Sequence, residues 1–210
     1  MSGHQLTELR IGDDPASWAD AGFTVDGAAV HLGHTRISLL GKSEPRGIAS
    51  MAIDGVDTDI DSLPVHHGAD LHAAEHEHAN LVDAIDHVVV MTPDSDRTTT
   101  ALERAGLEAR RIRTFDVGGM VRRQTFFWMG DVILELVGGD EPTGTGPPAL
   151  WGLALTSPDL DATAAALGAF CGPPKPAVQQ GRRIATLKTR DLDISTAVAI
   201  MSPHPKASNT

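Results

Sequence analysis

The chain has 210 residues, a formal net charge of −11, 41% apolar residues and 4% aromatic ones, which suits one large domain or one and a half small ones. Its basic residues fall in scattered pairs (Arg110-Arg111, Arg122-Arg123, Arg182-Arg183), and polyanion binding rests on basic clusters, so nucleic acid is excluded as an expected partner. No run of about 18 apolar residues is present, MSGHQLTELR lacks an apolar signal core, and the single cysteine, Cys171, rules out an intramolecular disulfide framework; the expectation is a cytoplasmic protein without membrane contact.

Three copies of one β-α-β-β-β unit can be read in chain order. The first opens with a strand near Leu6–Ile11. Asp13 or Asp14 then caps a short helix with Pro15 in its first turn, followed by an extended piece at Phe23–Asp26 and a hairpin over Ala29–Leu40. RGIASMAIDGVD (Arg46–Asp57) reads as the opening strand of a further, partial copy. Leu63–Asp83, rich in His, Ala and Glu, reads as a linker with room for one helix. The second full copy has a strand at Ile85–Met91 and a helix at Ser95–Ala105, stopped by Gly106. Extended segments follow near Ala109–Thr114, Arg122–Met129 and Val132–Val137. The third has a strand at Trp151–Thr156, a helix at Leu160–Phe170 and strands near Arg182–Leu187 and Thr196–Met201. The expected organisation is a degenerate N-terminal unit with an extra strand (1–60), a His-rich linker (61–84), a paired-unit domain (85–203) and a disordered polar tail (204–210).

The copies align residue by residue. VHLGHTRISLLG (Val30–Gly41) matches FWMGDVILELVGG (Phe127–Gly139), with Gly33 on Gly130 and Ser38 on Glu135. Ile85–Leu107 matches Leu150–Phe170, with Pro93-Asp94 on Pro158-Asp159 and His87 on Gly152. Self-similarity of this kind means a modular fold. If Gly130-Asp131 is a two-residue turn, strand alternation sorts the hairpin into two faces. Thr125, Phe127, Met129, Val132, Leu134 and Leu136 lie under the helix. Gln124, Phe126, Trp128, Ile133 and Glu135 form a mixed aromatic and polar face of the kind expected in a concave binding site. In the first copy Val30, Leu32, Ile37 and Leu39 are the core face, and Glu8, Arg10, His31, Arg36 and Ser38 share the polar one.

The opening IDHVVVMTPDSDRT and the closing GDVILELVGG of the second copy resemble the vicinal oxygen chelate superfamily, the glyoxalase/bleomycin-resistance/extradiol dioxygenase group. The likeness covers Ile85–Pro203 well and Leu6–Gly41 more weakly. It implies an α+β fold in which paired βαβββ units form an incomplete barrel. It also implies a glyoxalase-like small-molecule protein: a metal-assisted lyase, isomerase or dioxygenase acting on a vicinal-oxygen substrate, or a non-catalytic protein that sequesters its ligand as drug-resistance members do. In metal-dependent members each unit gives one ligand from its first strand and one from its last. Carried over, His87 and Glu135 are the metal ligands and the catalytic pair for one divalent ion (Zn, Ni, Fe or Mn). The third copy departs from the pattern, with Gly152 and Ala199 at its two positions, so a site without metal is an equal expectation. Any metal would then need a third donor from elsewhere, such as Gln124, a linker His or another subunit.

Each candidate also has a plainer reading. His87 and Glu135 satisfy one another by a hydrogen bond without metal, and a carboxylate in an apolar pocket can act as acid or base. Gln124, Phe126, Trp128 and Trp151 are read as ligand contacts, the tryptophans equally as core fillers. Of the equivalent pairs Arg122-Arg123 and Arg182-Arg183, one member each, here Arg123 and Arg183, is read as binding a substrate carboxylate or phosphate, for which the guanidinium fork is suited; solvated strand starts are the plainer reading. His72-Ala73-Ala74-Glu75-His76 matches the H-x-x-E-H peptidase string, but the surrounding fold is wrong for a peptidase and a solvated linker is the simpler reading. Cys171 reads as an ordinary thiol. An uncovered N-terminal unit is expected to pack on the barrel or to pair with its copy in a homodimer.

Overall fold

The computed structural model describes residues 3–68 and 76–205. The N-terminal module consists of β1 (Leu6–Ile11), α1 (Pro15–Asp20), β2 (Ala29–Leu32), β3 (Thr35–Leu39) and β4 (Ile48–Ile53). Asp14 is the cap of α1, its side chain accepting from Ala16 N at 2.9 Å. Phe23–Asp26 is not a strand. Phe23 turns inward against Trp18, ring centroids 5.1 Å apart, and only Asp26 bridges to Ala29. Burying one large ring outweighs the weak strand preference of so short a piece.

The second unit is β5 (Ala84–Met91), α2 (Ser95–Arg104), β6 (Ala109–Val117), β7 (Met120–Met129) and β8 (Val132–Gly139). The third is β9 (Ala149–Thr156), α3 (Leu160–Leu167), β10 (Lys175–Pro176), β11 (Arg183–Thr186) and β12 (Ala197–Met201). The helix expected to reach Phe170 stops at Leu167, where Gly168 takes φ +53° and a short 3₁₀ turn completes the segment. The two units begin their helices alike. Asp94 and Asp159 cap them by accepting from Arg97 N and Ala162 N, both at 3.0 Å. Thr92 bonds Thr98 and Ser157 bonds Thr163, each at 2.7 Å. These local contacts are why the sequence repeat is also a structural one.

The strand order is β10-β11-β12-β9-β5-β8-β7-β6 in one open sheet and β2-β3-β1-β4 in another. In the large sheet β5 pairs β8 in parallel and β9 antiparallel, and β9 pairs β12 in parallel, so the two units meet at the β5–β9 seam. The small sheet repeats the pattern: β1 pairs β3 in parallel and β4 antiparallel. Thus β4 stands where β9 does, and the extra strand is the remnant of a partner unit. The turn at Gly130 places Phe126 opposite Glu135, Trp128 opposite Ile133 and Met129 opposite Val132. Gly130 has φ +68°, as the first position of a tight hairpin turn demands. Phe127, Met129, Leu134 and Leu136 are buried under the helices, and so are Val30, Leu32, Ile37 and Leu39.

The two modules share one continuous apolar core. A polar latch joins them. The fully buried Asp13 accepts from Trp18 Nε1 at 3.1 Å and from Ser195 N and Oγ at 3.0 and 2.6 Å. Arg46 Nη2 donates to the Asp193 carboxylate at 2.9 Å. The N-terminal module therefore packs on the barrel of its own chain. No helix among the described residues is long and apolar enough to cross a membrane.

Candidate functional site

The site begins with an irregularity in β5. Between Ile85 and His87 the pairing with β9 slips, Ile85 facing Leu155 and His87 facing Ala154, so Asp86 is an extra residue. A bulge re-aims a side chain. Here it lets two successive residues, Asp86 and His87, work on one cluster instead of pointing to opposite faces. The same slip occurs in β1, where Leu6 faces Ile53 and Glu8 faces Ala52, with Thr7 as the extra residue.

Asp86 accepts from His87 Nδ1 at 2.8 Å and from Arg182 Nη2 at 2.5 Å. Arg182 lies just before β11 with its side chain 1% exposed. It also donates through Nε to Ser202 O at 2.8 Å and lies 3.2 Å from His204 Nε2. Burial would raise the Asp86 pKa, but the hydrogen bonds from His87 and Arg182 and the guanidinium charge outweigh it and hold the group at about 2. Asp86 is thus an ionised acceptor, which puts the proton of the His87 Nδ1 contact on the imidazole. The other ring nitrogen, Nε2, is 3.2 Å from Glu135 Oε2. A contact between two such acceptors needs one proton, held by either partner. Glu135 is 8% exposed. Burial pushes its carboxyl above the ordinary range, against the opposing pull of the His87 charge and a hydrogen bond donated by Gln124 Nε2. Asp86, His87 and Glu135 therefore form a relay: one carboxylate fixed as charged, an imidazole oriented by it, and a second carboxyl whose pKa burial raises.

The floor around the relay follows from register. Val89 faces Glu135 on β8, and His87 faces Ile133. In the third unit Gly152 pairs with Ala197 and Ala154 with Ala199, so Gly152 and Ala199 occupy the places of His87 and Glu135. A Cβ on Gly152 would stand 2.9 Å from Ala197 O, so this corner has room for backbone alone. On β7, Gln124 and Phe126 are partly buried beside Glu135 and Trp128 is 48% exposed at the rim. Trp151 is 57% exposed. It is the extra residue where Val89 faces Gly152 and Val90 faces Leu150, and it is not brought into the cluster.

Arg123 and Arg183 are also elsewhere. They lie on the helix side, Arg123 bound to Asp96 of α2 at 2.5 Å and Arg183 to Asp161 of α3 at 2.7 and 2.9 Å. Their neighbours Arg122 and Arg182 take the other side, because alternation sends successive residues to opposite faces. Sequence reading missed Asp86 and Arg113, and of the pairs Arg122-Arg123 and Arg182-Arg183 it settled on Arg123 and Arg183. The dipeptide Asp86-His87 and the tandem Arg182-Arg183 were the available signals, but neither reveals a bulge. Cys171 is half-buried and burial raises its thiol pKa, in keeping with an ordinary thiol.

The metal expected from the resemblance can be tested on these donors. Among the described residues no group of three His, Cys, Asp or Glu side chains could hold an ion. Gly152 and Ala199 offer no side-chain donor, the imidazole and carboxyl that remain are in contact with each other, and Gln124 turns its Nε2 rather than its oxygen to Glu135. Catalytic zinc usually has three protein donors, so this set does not fit a resident divalent ion.

The N-terminal module carries a second polar cluster in matching register. Glu8 faces Arg36 and Arg10 faces Ser38, which puts Glu8 at the His87 position and Ser38 at the Glu135 position. The parallel bridge of Met51 to Val65 puts His66 at the Ala199 position. Glu8 is 5% exposed and accepts from Ser38 Oγ at 2.6 Å and His66 Nε2 at 2.9 Å. Burial would raise its pKa, but these bonds, with the Arg10 and His66 charges, bring it below the ordinary value. Of the other linker histidines, His78 is structural, bonded to Thr24 N and His31 O at 2.9 Å each. The His72–Glu75 part of the peptidase-like string falls outside the described residues.

No protein-family model matches the chain, and no curated protein does. Solved structures do. A variant of 4-hydroxymandelate synthase from Streptomyces coelicolor is 11% identical with a TM-score of 0.60, covering 96% of this chain and 93% of that one. A variant of homoprotocatechuate 2,3-dioxygenase from B. fuscum is 14% identical with a TM-score of 0.60, covering 99% and 75%. A xylose isomerase-like TIM barrel/4-hydroxyphenylpyruvate dioxygenase fusion protein is 11% identical with a TM-score of 0.63, covering 100% and 50%. At these identities the likeness speaks for fold. With the open sheets, the β5–β9 seam and the repeated units, it shows that this chain has the α+β fold of the vicinal oxygen chelate superfamily.

Proposed function

We propose that the chain is an isomerase- or lyase-type enzyme that moves a proton on a small oxygen-bearing ligand held on the concave face of the large sheet. The observation that carries this reading is the contact of Glu135 with His87 Nε2 at 3.2 Å, with the Glu135 carboxyl raised by burial and the other imidazole nitrogen fixed by Asp86. A general base works best when its pKa lies near the working pH, and burial moves Glu135 that way. In the step proposed, the Glu135 carboxylate takes a proton from a carbon next to a carbonyl. The C–H electron pair becomes the C=C bond of an enolate, and the proton returns to the same or the neighbouring carbon. The charge of Arg113 acts on Glu135 and is on hand for the negative charge that develops.

The test is deuterium wash-in from D₂O into small α-hydroxy ketones and 2-oxo acids, followed by NMR. Wild type is expected to exchange at least one of them and Glu135→Gln none. Exchange that persists in Glu135→Gln would remove the carboxyl from the mechanism. A second reading, sequestration without chemistry, is favoured by Gly152 and Ala199, which leave half of the family's functional positions empty of reactive groups. Binding of a ligand without exchange would select it. We also propose a twofold homodimer, since β6 is an open edge strand and its hairpin exposes Ile112, Val117, Met120 and Val121, an association hazard unless covered. Sedimentation velocity tests this.

A further inference from the structure

The charges on the concave face do not cancel. The register of β6 and β7 sets Arg111 opposite Phe126, Arg113 opposite Gln124 and Phe115 opposite Arg122. Phe126 faces Glu135 in turn, so Arg111, Arg113 and Arg122 belong to the same face as the relay. Arg113 lies over the Phe115 ring at 5.4 Å, which holds the guanidinium over this face, and its charge is felt at Glu135. Arg122 faces Gly139 on β8, whose side-chain place is taken by the Glu141 carbonyl and the Thr143 methyl group, and it has no ion-pair partner among the described residues. Asp86 is matched by Arg182, and the His87–Glu135 pair with one proton is neutral as a unit. Among the described residues none of Arg111, Arg113 and Arg122 forms an ion pair, whereas Arg97, Arg123 and Arg183 all do. In a chain of net charge −11, this face holds three uncompensated positive charges.

A second observation is independent of charge. Gln124 spends its Nε2 on Glu135, and its Oε1 is buried with no hydrogen-bond partner. A buried acceptor left unpaired is costly, and such a group in a native fold calls for an explanation. It needs an O–H or N–H donor. Gln124 stands on β7 between Arg113 on β6 and the strand β8 that carries Glu135.

From these two features we infer that the ligand is a small organic anion with a free hydroxyl next to its charged group. Its carboxylate or phosphate is held by Arg113 and Arg122, and its hydroxyl donates to Gln124 Oε1. Planar guanidinium groups suit both kinds of anion. This deepens the proposed function by naming the ligand class of the same face, and it rests on binding rather than on proton transfer.

The test is NMR titration of the full chain with lactate, propionate and inorganic phosphate. Lactate is expected to bind at least about tenfold more tightly than propionate, the size of effect one hydrogen bond to a buried group can give. Arg113→Met/Arg122→Met is expected to weaken lactate and propionate together by about tenfold or more. Gln124→Met is expected to bring lactate down to the propionate level and leave propionate unchanged. Phosphate tighter than lactate would assign the anion as a phosphate ester, and the reverse as a carboxylate. Equal affinity for lactate and propionate would overturn the hydroxyl assignment. Anion binding unchanged in the double arginine variant, in protein whose amide spectrum is otherwise native, would overturn the whole inference. Glu135→Gln separates the two proposals: it is expected to lose exchange and keep the lactate preference.

Discussion

Replacing Asp86 by Asn tests the electrostatics of the relay without changing its shape. The group titrates at about 2 in the fold against an ordinary 3.8. That depression is worth on the order of 2 kcal/mol of stability at pH 7. A depressed carboxylate stabilises the fold above its unfolded pKa, and the contribution is lost as pH falls through the folded one. At pH 3 roughly half of it, about 1 kcal/mol, remains by the same linkage. Asn also leaves the Arg182 side chain, 1% exposed, as a buried cation without its counter-charge. Removing one partner of such a pair typically costs about 3–5 kcal/mol in total. Urea unfolding at pH 7 should therefore show a loss of several kcal/mol. The gap between wild type and Asp86→Asn should narrow by about 1 kcal/mol between pH 7 and pH 3. Equal midpoints at pH 7, or a gap that does not narrow on acidification, would refute the claim that Asp86 is ionised and held by Arg182 and His87.

Glu135 has the opposite sign. Its folded pKa is raised from 4.5 by burial, so its charged form weighs against the fold above that pH. Glu135→Gln should be more stable than wild type at pH 7 and lose the advantage below pH 4.5, as read by urea midpoints. On the helix side of the same hairpin, Phe127→Ala should cost about 3–5 kcal/mol because the ring is fully buried. Trp128→Ala, one residue on and about half-exposed, should cost under about 1 kcal/mol by the same assay. Asp13→Ala removes the acceptor shared by Trp18 and Ser195. It should cost about 1–3 kcal/mol and speed amide exchange at Ser195. A fragment of residues 1–60 should give no cooperative unfolding transition, because its apolar face is completed by the barrel.

The sequence by itself determined the units and their faces. Period-2 alternation and a Gly turn are local properties, so the sorting of Phe127 and Leu134 from Trp128 and Glu135 was readable at once. The register Phe126↔Glu135 followed from the turn alone. The matched caps Asp94 and Asp159 made the repeat visible for the same reason. The places of Gly152 and Ala199 opposite His87 and Glu135 came from aligning the copies, which works because each copy keeps its strand lengths. Even the remnant strand Ile48–Ile53 could be recognised by its likeness to Trp151–Thr156.

Only the tertiary structure decided which polar groups meet. Asp86 reads as a core-side residue by alternation. A one-residue slip between β5 and β9 moves it to the relay, and a slip depends on a strand more than 60 residues away in the chain. Arg182 and Arg183 are alike in sequence, but one is buried on Asp86 and the other paired with Asp161 on α3. Their phase along β11 depends on which side the sheet presents to α3. His66 reads as a linker residue, and its contact with Glu8 exists because the chain after β4 runs parallel to it at Val65. Strand propensity and turn chemistry act over a few residues. Charge pairing and desolvation act across whatever the fold brings together, and that cannot be read from neighbours in the chain.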